Sequence, residues 1–435
     1  MAHYPDDLPE SRRIFERARK VMPGGNTRTT VFIDQFPIYA ARGEGCRVWD
    51  VDGNVYYDCI NNFTAMIHGY GRPEVVAAVT NQMPLGSAFG VPTVSEIELA
   101  ELLVERFPSV EQIRFANSGT EAVMMAIKAA RAYTGQPRIV KIEGAYHGSY
   151  DFAEVSLDSS PANWGDLPVS IAYAKGTPQG VLDDVLVVPF NNVELLQAVF
   201  AEHGESIAGV LIDPMPNRAG LIPARQDYLE AMAEIARAVG ALVIFDEVIS
   251  FRLGYSGAQG LWGIRPDLTA LGKIIGGRAE VMAVFDPTRG KPALPHGGTF
   301  TANRITMRAG LAAMRALTPE SFARLDRIGD RMRDGINALL QNHGLEGQCV
   351  GLGSLFKVHF TARPITDYRS IYPGPDERRK LDAFHKGLLG GGVLSASYGL
   401  FALSTPMTDE DVEKILGAIH DTLGEIAGRS SPRAA

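Results

Sequence analysis

The length, composition and charge of the chain restrict its class. It has 435 residues, of which 46% are hydrophobic and 21% charged, and this composition indicates a globular protein of two or three domains and excludes a disordered chain. The 42 basic and 50 acidic residues leave a net charge of −8, which argues against nucleic acid or an anionic membrane as a partner, because both require clustered positive charge.

Targeting and redox features favour the cytoplasm. No apolar run reaches the roughly 18 residues that a membrane span needs, and the first ten residues are polar and carry acids, unlike a secretory signal. Cys46, Cys59 and Cys349 cannot form a disulfide framework and lack metal-ligand spacing. We therefore expect a cytoplasmic protein without a metal site.

The chain begins with a predicted helix at residues 11–21 and a hairpin at residues 45–58. From about residue 95, helical patterns alternate with short apolar runs. The predicted helices are 95–107, 120–133 and 226–239, and the predicted strands are 112–116, 138–142, 186–190, 207–212 and 241–245. Continuous apolar strands separated by helices are typical of a parallel sheet covered on both faces. The sequence therefore predicts an α/β fold with a large, doubly wound, mostly parallel sheet domain over residues 69–303.

After residue 304 the pattern is mostly helical. Helices are predicted at 305–316, 320–342, 377–389 and 409–427, with strands at 355–360 and 400–404. We expect residues 304–435 to form a smaller α+β domain. Residues 1–68 are expected to pack with it, so that the large domain is inserted between two parts of the small one.

Ligands of open parallel sheets bind beyond the carboxyl ends of the strands. After strand 112–116, Ser118, Gly119 and Thr120 open a helix. Small residues there let backbone N–H groups bind a phosphate, although a plain helix cap needs the same residues. After strand 138–142, Tyr146 lies between glycines and could stack on a flat ring or simply pack in a turn. The adjacent His147 is more typical of a structural residue.

Two further candidates follow later strands. Asp246 and Glu247 end a fully apolar strand, and acids there are costly to bury unless they are paired with a ligand cation, a helix N-terminus or an arginine. Lys273 lies among Leu, Ala, Ile and Gly residues, where desolvation would lower its pKa and activate it as a nucleophile. No serine or threonine follows Lys273, which excludes a Walker-type phosphate loop. The loop 297–303 carries hydroxyls that could reach a phosphate or cap a helix.

A phosphate cup, a ring-stacking aromatic residue, a buried acid and a desolvated lysine together match the requirements of pyridoxal 5′-phosphate (PLP). The lysine would form the Schiff base. The acid would keep the pyridine nitrogen protonated, so that the ring can accept electrons.

With these residues in view, the sequence resembles class III (subgroup II) PLP-dependent aminotransferases of fold type I. It is most similar to the branch of glutamate-1-semialdehyde 2,1-aminomutases and β-amino-acid, or β-phenylalanine, transaminases. The resemblance extends over nearly the whole chain. It rests on Met-Pro-Gly-Gly-Asn-Thr-Arg ending at Arg28, on residues 43–53, 117–122, 146–148 and 246–248, and on residues 271–273 and 298–300.

The resemblance implies roles for individual residues. Lys273 would be the Schiff-base and proton-shuttling lysine, and Asp246 the partner of the pyridine nitrogen. The ring would lie between Tyr146 and Val248. The remaining implied roles are phosphate binding for Ser118, Gly119 and Thr120, contact with the phosphate of the neighbouring subunit for Thr299, and substrate carboxylate binding for Arg28. A homodimer with shared active sites is therefore implied.

Three features depart from the family pattern. Asp213 precedes Pro214 where the family commonly has glutamate. Tyr398 stands where a β-phenylalanine transaminase offers a second arginine, and is a candidate substrate contact. About nine residues of a Gly-x-Pro-x-Gly-Ala-x-Gly-Gly strand are missing after Gly277. Because their loss would remove a strand from the core sheet, we expect a break between Gly277 and Arg278, with disorder around Lys273.

Three functions remain open. The first is a transaminase that moves an amino group from a carboxylate-bearing amino acid, such as a β-amino acid, to a keto acid. The second is an aminomutase of the semialdehyde type, which needs no external acceptor. The third is a catalytically silent homologue that binds the cofactor, against which intact Lys273 and Asp246 argue.

Overall fold

The computed structural model of the protein describes Tyr4 and residues 6–33 and 35–430, with the side chains of the last two excepted. The chain forms two compact units. The large unit comprises Pro73–Phe322 and Arg363–Tyr372, and the small unit comprises Met1–Arg72, Ala323–Ala362 and Pro373–Ala435.

The strands are numbered in chain order. They are β1 (Ala40–Glu44), β2 (Arg47–Asp50), β3 (Val55–Asp58), β4 (Gln112–Phe115), β5 (Arg138–Ile142), β6 (Val185–Val188), β7 (Ile207–Ile212), β8 (Leu242–Asp246), β9 (Leu268–Leu271), β10 (Ile274–Gly277), β11 (Gln348–Leu352), β12 (Leu355–His359), β13 (Val393–Leu394) and β14 (Leu400–Ala402).

The α-helices are numbered in the same way. They are α1 (Pro9–Ala18), α2 (Pro73–Gln82), α3 (Val94–Arg106), α4 (Gly119–Thr134), α5 (Asp151–Glu154), α6 (Gln179–Asp183), α7 (Val193–His203), α8 (Gln226–Ala238), α9 (Gly257–Trp262), α10 (Ala279–Met282), α11 (Arg304–Ala316), α12 (Pro319–Asn342), α13 (Pro375–Gly390) and α14 (Asp409–Ser430).

Within the described residues, the large unit is built on a seven-stranded sheet of order β4-β10-β9-β8-β7-β5-β6. Strands β5 to β9 pair in parallel, and β10 runs antiparallel to both of its neighbours. Every residue of β7 and β8 is buried, because helices cover both faces of a sheet of this kind. The predicted α/β fold with a mostly parallel sheet is confirmed.

The small unit contains two smaller sheets in the part that the structure describes. One has the order β1-β2-β3-β13, in which the N-terminal hairpin pairs in parallel with β13, and the other has the order β11-β12-β14. Helices α12, α13 and α14 contribute Met332, Phe384 and Ile419 to the core of this unit, all at most 1% exposed.

The unit boundaries differ from those predicted. They lie at residues 72 and 322 rather than 68 and 303, and residues 363–372 belong to the large unit. Helix α11, assigned by prediction to the small domain, buries Met307 and Leu311 against Leu99 and Leu103 of α3. The local pattern correctly predicts a helix there, but it does not specify which core receives the apolar face.

The predicted break after Gly277 is wrong. Strand β10 ends at Gly277, and Arg278 follows as the N-terminal cap of α10, with its N–H donating to the carbonyl of Asp267. The sheet loses no strand, because Ile274–Gly277 pairs with both β4 and β9. As a result, β10 begins directly after Lys273.

Candidate functional site

Asp246, the last residue of β8, is buried and hydrogen-bonded through both carboxylate oxygens. It is 4% exposed. Its Oδ2 lies 2.8 Å from Nδ1 of His147, and its Oδ1 accepts the N–H of Val248 at 3.0 Å. The predicted alternatives, an arginine partner or a helix terminus, are not what holds it. The partner is the histidine that the sequence had marked as structural.

His147 follows β5 and is itself buried. Burial lowers its pKa, which the hydrogen bond to Asp246 partly opposes. A neutral imidazole therefore donates from Nδ1 to the carboxylate. Its Nε2 has no hydrogen-bond partner among the described residues.

The N-terminus of α4 lies beside this acid. Ser118 caps the helix, with its hydroxyl accepting the N–H of Glu121 at 3.1 Å. A β-carbon at Gly119 would lie 3.3 Å from a methyl group of Val248. The first N–H groups of any α-helix lack partners within the helix and attract anions. The cap interpretation is thus correct for the Ser118 hydroxyl, while the backbone keeps its capacity for a phosphate.

Thr120 ties this helix start to the loop after β5. Its Oγ1 accepts the N–H of Ser149 at 3.1 Å, and a side chain at Gly148 would overlap it. In the same loop, Tyr146 is 47% exposed, and Val248 is 37% exposed. Two exposed apolar side chains therefore lie beside the buried Asp246.

Lys273 occupies the turn between β9 and β10. Leu271 pairs with Ile274, so Gly272 and Lys273 form a two-residue connection, and Lys273 has φ +69°. This left-handed conformation usually requires glycine or asparagine. The Lys273 carbonyl accepts the N–H of Ala116 at 2.7 Å, two residues before Ser118. Its side chain is exposed, so the expectation that apolar neighbours desolvate the amine is wrong: the turn carries the lysine beyond the buried faces of the strands.

Two further buried acids surround Asp246. Burial and the Asp246 carboxylate raise the pKa of Asp213 to about 8, so this residue is protonated at neutral pH and adds no negative charge. Its Oδ1 accepts the N–H of Met215 at 2.9 Å. Glu247, whose pKa burial raises to about 7, accepts the N–H groups of Ala258 and Gln259 at the start of α9. Glu247 therefore has a structural function.

Buried charged side chains form hydrogen bonds at the end of β5, which leads to Tyr146 and His147. Lys141 is fully buried and donates from Nζ to the carbonyls of Ile142, Ala145 and Val155 at 3.2, 3.2 and 2.7 Å. Burial lowers its pKa to about 7. Glu143 accepts two hydrogen bonds from Arg369, at 2.7 and 3.1 Å. Nothing in the sequence pattern marks these contacts of Lys141 and Glu143, because the partners are distant or are backbone carbonyls.

Thr299 is exposed, in a loop of the large unit. Within this loop, Thr301 Oγ1 accepts from the amide of Asn117 at 3.3 Å. The loop therefore contacts the residue that precedes Ser118 in the same chain.

The predicted substrate residues Arg28 and Tyr398 belong to the small unit. Arg28 is exposed, and its Nη1 donates to Oδ1 of Asn62 at 3.0 Å. Tyr398 is half-buried in the connection between β13 and β14, with the Lys357 ammonium 5.2 Å from its ring centroid. Asn62 lies in a run of four left-handed residues, a conformation that residues other than glycine, asparagine and aspartate seldom adopt.

Comparison with known proteins identifies the family. The model of aminotransferase class-III matches residues 30–423. The chain belongs to the class-III aminotransferases. The β-phenylalanine transaminase of Variovorax paradoxus is 40% identical over 431 residues, covering 97% of this chain and 94% of that protein. The glutamate-1-semialdehyde 2,1-aminomutase of Bacillus subtilis is 37% identical over 436 residues, covering 97% and 99%.

Comparison with solved structures gives the same family. An ω-transaminase from Sphaerobacter thermophilus superposes with a TM-score of 0.94 at 50% identity, covering 96% of this chain and 98% of that chain. The predicted resemblance and fold type I are confirmed, and this class-III aminotransferase is an enzyme of a PLP-dependent family.

The residues of this aminotransferase fit the cofactor. A buried acid held by His147 suits a protonated ring nitrogen, because it offers a negative charge in a fixed position. Exposed Tyr146 and Val248 offer apolar surface to a flat ring, and the start of α4 offers N–H groups to a phosphate. Among the described residues, no group of three or more His, Cys, Asp or Glu side chains is arranged to hold a metal ion, and no helix is long and apolar enough to cross a membrane.

Sequence reasoning missed the importance of His147. The available signal was positional: His147 follows β5 and Asp246 ends β8, and the carboxyl ends of parallel strands in one sheet lie at the same edge.

Proposed function

We propose that the protein is a transaminase that moves an amino group from a carboxylate-bearing amino acid, such as a β-amino acid, to a keto acid. The observation that carries the proposal is the grouping around Asp246, which His147 holds next to Val248 and Gly119, while Lys273 lies in the turn that follows the neighbouring strand β9. The full-length similarity to an ω-transaminase at 50% identity supports it.

In this proposal the Lys273 amine would hold the cofactor and would carry a proton during the reaction. Asp246 keeps a proton on the pyridine nitrogen, and His147 fixes the orientation of Asp246. Bound PLP supplies the electron sink. Tyr146 and Val248 would offer it apolar surface.

The phosphate and substrate groups have their own residues. Ser118, Gly119 and Thr120 bind the phosphate through the start of α4. Arg28 binds the carboxylate of the amino donor through a charged, two-point hydrogen-bonding arrangement, and Tyr398 contributes to substrate binding.

The substrate assignment predicts a selective effect. Arg28→Ala should raise the KM of a carboxylated donor such as 3-amino-3-phenylpropanoate about 10- to 100-fold, from the loss of a charged hydrogen-bonded pair. The comparison amine, 1-phenylethylamine, lacks the carboxylate, and its KM should change little. Equal effects on the two amines would remove Arg28 from substrate binding.

An aminomutase is the second candidate, favoured by the 37% identity to the Bacillus subtilis enzyme. The two functions separate in one assay. The PLP-loaded protein is given an amino donor with pyruvate or 2-oxoglutarate, and product is counted per active site. Many turnovers that depend on the acceptor support the transaminase. Conversion of glutamate-1-semialdehyde without any acceptor, with no turnover of other donors, supports the aminomutase.

We also propose a cytoplasmic homodimer in which Thr299 reaches the phosphate of the partner subunit. The large unit exposes apolar side chains that a second copy would cover, among them Met83, Leu85 and Val91 at 57%, 61% and 69% exposure. Co-expression of Lys273→Ala and Thr299→Ala chains tests the shared site. The mixed dimer should recover activity that neither variant has alone, because one of its two sites is then intact. Absence of recovery in an isolated mixed dimer would contradict a shared site.

A further inference from the structure

The small unit contains a left-handed turn at residues 61–64, directly after β3. Asn61, Asn62, Phe63 and Thr64 have φ values of +50°, +47°, +55° and +74°. Asparagine tolerates this region, but a phenylalanine and a β-branched threonine seldom adopt it. Strained backbone of this kind persists only where the surroundings enforce it, and it concentrates at functional sites.

Hydrogen bonds from the surroundings hold the start of the turn. Oδ1 of Asp58 accepts the N–H groups of Ile60 and Asn61 at 2.9 and 2.8 Å. The Asn61 side chain is buried and donates to the carbonyl of Ala402. Within the turn, the Thr64 N–H donates to the carbonyl of Ile60 at 2.8 Å. The turn is therefore a fixed structure.

Its two outward residues both contact Arg28. Asn62 Oδ1 accepts from Arg28 Nη1 at 3.0 Å, and the guanidinium carbon lies 5.6 Å from the centroid of the Phe63 ring. The contacts are of two kinds, a hydrogen bond that Nη1 of Arg28 donates and a cation–π contact with the ring. The other guanidinium N–H groups of Arg28 have no partner within the described part of the chain.

We propose that the left-handed turn is a positioning element that holds the Arg28 guanidinium ready for the donor carboxylate, with Asn62 and Phe63 as its positioning residues. The inference rests on the proposed function of Arg28. An exposed arginine samples many rotamers, and fixing it before binding reduces the entropy lost when the substrate arrives. Because of the left-handed backbone, the amide oxygen of Asn62 and the ring of Phe63 both face the Arg28 side chain from adjacent positions.

Substitutions at Asn62 test the proposal in the holoenzyme, with 3-amino-3-phenylpropanoate as the carboxylated donor and 1-phenylethylamine as the amine without a carboxylate. Asn62→Gly keeps the left-handed backbone accessible and removes only the amide, so the KM of the carboxylated donor should rise about three- to tenfold through loss of one hydrogen bond to a charged group. Asn62→Asp, which also tolerates this backbone, places a carboxylate that competes for Arg28, and the same KM should rise about 10- to 100-fold. In both variants kcat, and the KM of the amine without a carboxylate, should stay within about twofold of wild type.

Asn191→Gly is the matched control. Asn191 also has a left-handed backbone, with φ +57°, and its amide oxygen accepts the N–H of Arg225 in the large unit at 2.8 Å. This variant should leave the KM of both amines unchanged. Thermal unfolding of each variant shows whether it is folded.

The outcomes separate the two proposals. If the wild-type enzyme has the same KM for both amines, the proposed function is contradicted, and the positioning role of the turn is contradicted with it. If Arg28→Ala removes the preference while Asn62→Gly and Asn62→Asp retain it, the function of Arg28 stands and the positioning role of the turn is overturned. Equal losses for both amines in the Asn62 variants also overturn it, because they indicate a general structural defect.

Discussion

The two residues proposed to act on the cofactor lie at the end of strand β8 and in the turn after the adjacent strand β9, and their surroundings are opposite. Asp246 is 4% exposed, with both oxygens hydrogen-bonded. Lys273 is exposed and sits in a left-handed conformation. The polypeptide itself fixes the acid, whereas the amine extends from a strained turn.

This contrast separates stability from function. Replacing Asp246 by alanine should harm both, because its partner His147 is buried. Replacing Lys273 by glycine should abolish function while relieving strain, as expected where an active site retains a locally unfavourable conformation. Substitutions at the two residues and at their neighbours test this difference.

Lys273→Gly should lower turnover by more than about 10⁴-fold, because the nucleophile and the proton-transfer group are lost together. The free energy of unfolding of the cofactor-free protein should rise by about 0.5–1 kcal/mol, since glycine adopts φ +69° without the steric cost but loses more entropy on folding. Lys273→Ala is the matched control: it should lose the same activity without the gain in stability. Denaturant unfolding measures the difference, and equal stability of the two variants would argue against strain at this turn.

Asp246→Asn should lower kcat about 10²- to 10⁴-fold, a loss of the size associated with removing a proton-holding group. The amide oxygen can still accept the Val248 N–H, and the amide nitrogen can donate to Nδ1 of His147 once that histidine moves its proton to Nε2, so the stability should change little. Asp246→Ala should additionally lower the free energy of unfolding by about 1–3 kcal/mol, because two buried donors lose their acceptor. Near-full activity in Asp246→Asn would leave Asp246 with a structural role alone.

His147→Leu should lower kcat about 10- to 100-fold by removing the hydrogen bond that orients the Asp246 carboxylate. His147→Asn places an N–H donor near the position of Nδ1 and should recover most of this loss. The comparison of kcat in the two variants is the measurement. Equal activity of the two variants would indicate that the histidine acts through packing.

Asp213→Asn should alter the pH dependence of stability. The folded-state pKa of about 8 lies above the roughly 3.9 of an unfolded aspartate. Between these values the folded chain keeps a proton that the unfolded chain has released, so the contribution of Asp213 to stability is lost as the pH rises from about 4 to 8. The free energy of unfolding, measured in urea, should decrease less between pH 5 and pH 8 for the variant than for wild type. An unchanged decrease would mean that Asp213 is ionised.

Much of the fold and the grouping of the site follow from the sequence because apolar strands and small-residue helix starts are local signals. Strand β10 does not, since Ile274–Gly277 is short and half glycine, and only its two partner strands make it a strand. The sequence pattern also fails to predict the exposure of Lys273, for a related reason. Its apolar neighbours face the core, and the turn that separates it from them depends on the Leu271–Ile274 pairing.

The left-handed turn shows a second limit. Phe63 and Thr64 disfavour positive φ by themselves, so no local preference predicts it. Asp58 and the carbonyl of Ala402 impose it, and the latter contact joins residues 341 positions apart. Contacts of that range are not encoded in local patterns.

The central claim is that Lys273 carries the cofactor. Borohydride reduction of the PLP-loaded protein, followed by proteolysis and mass spectrometry, tests it directly, because reduction makes the lysine attachment permanent. The rival is Lys141, whose pKa burial lowers to about 7 but whose Nζ already donates to three carbonyls. We predict one phosphopyridoxyl group, on the peptide that contains Lys273, and none on that peptide in Lys273→Ala. A phosphopyridoxyl group on Lys141, or an unmodified Lys273 in active enzyme, would show that Lys273 does not carry the cofactor.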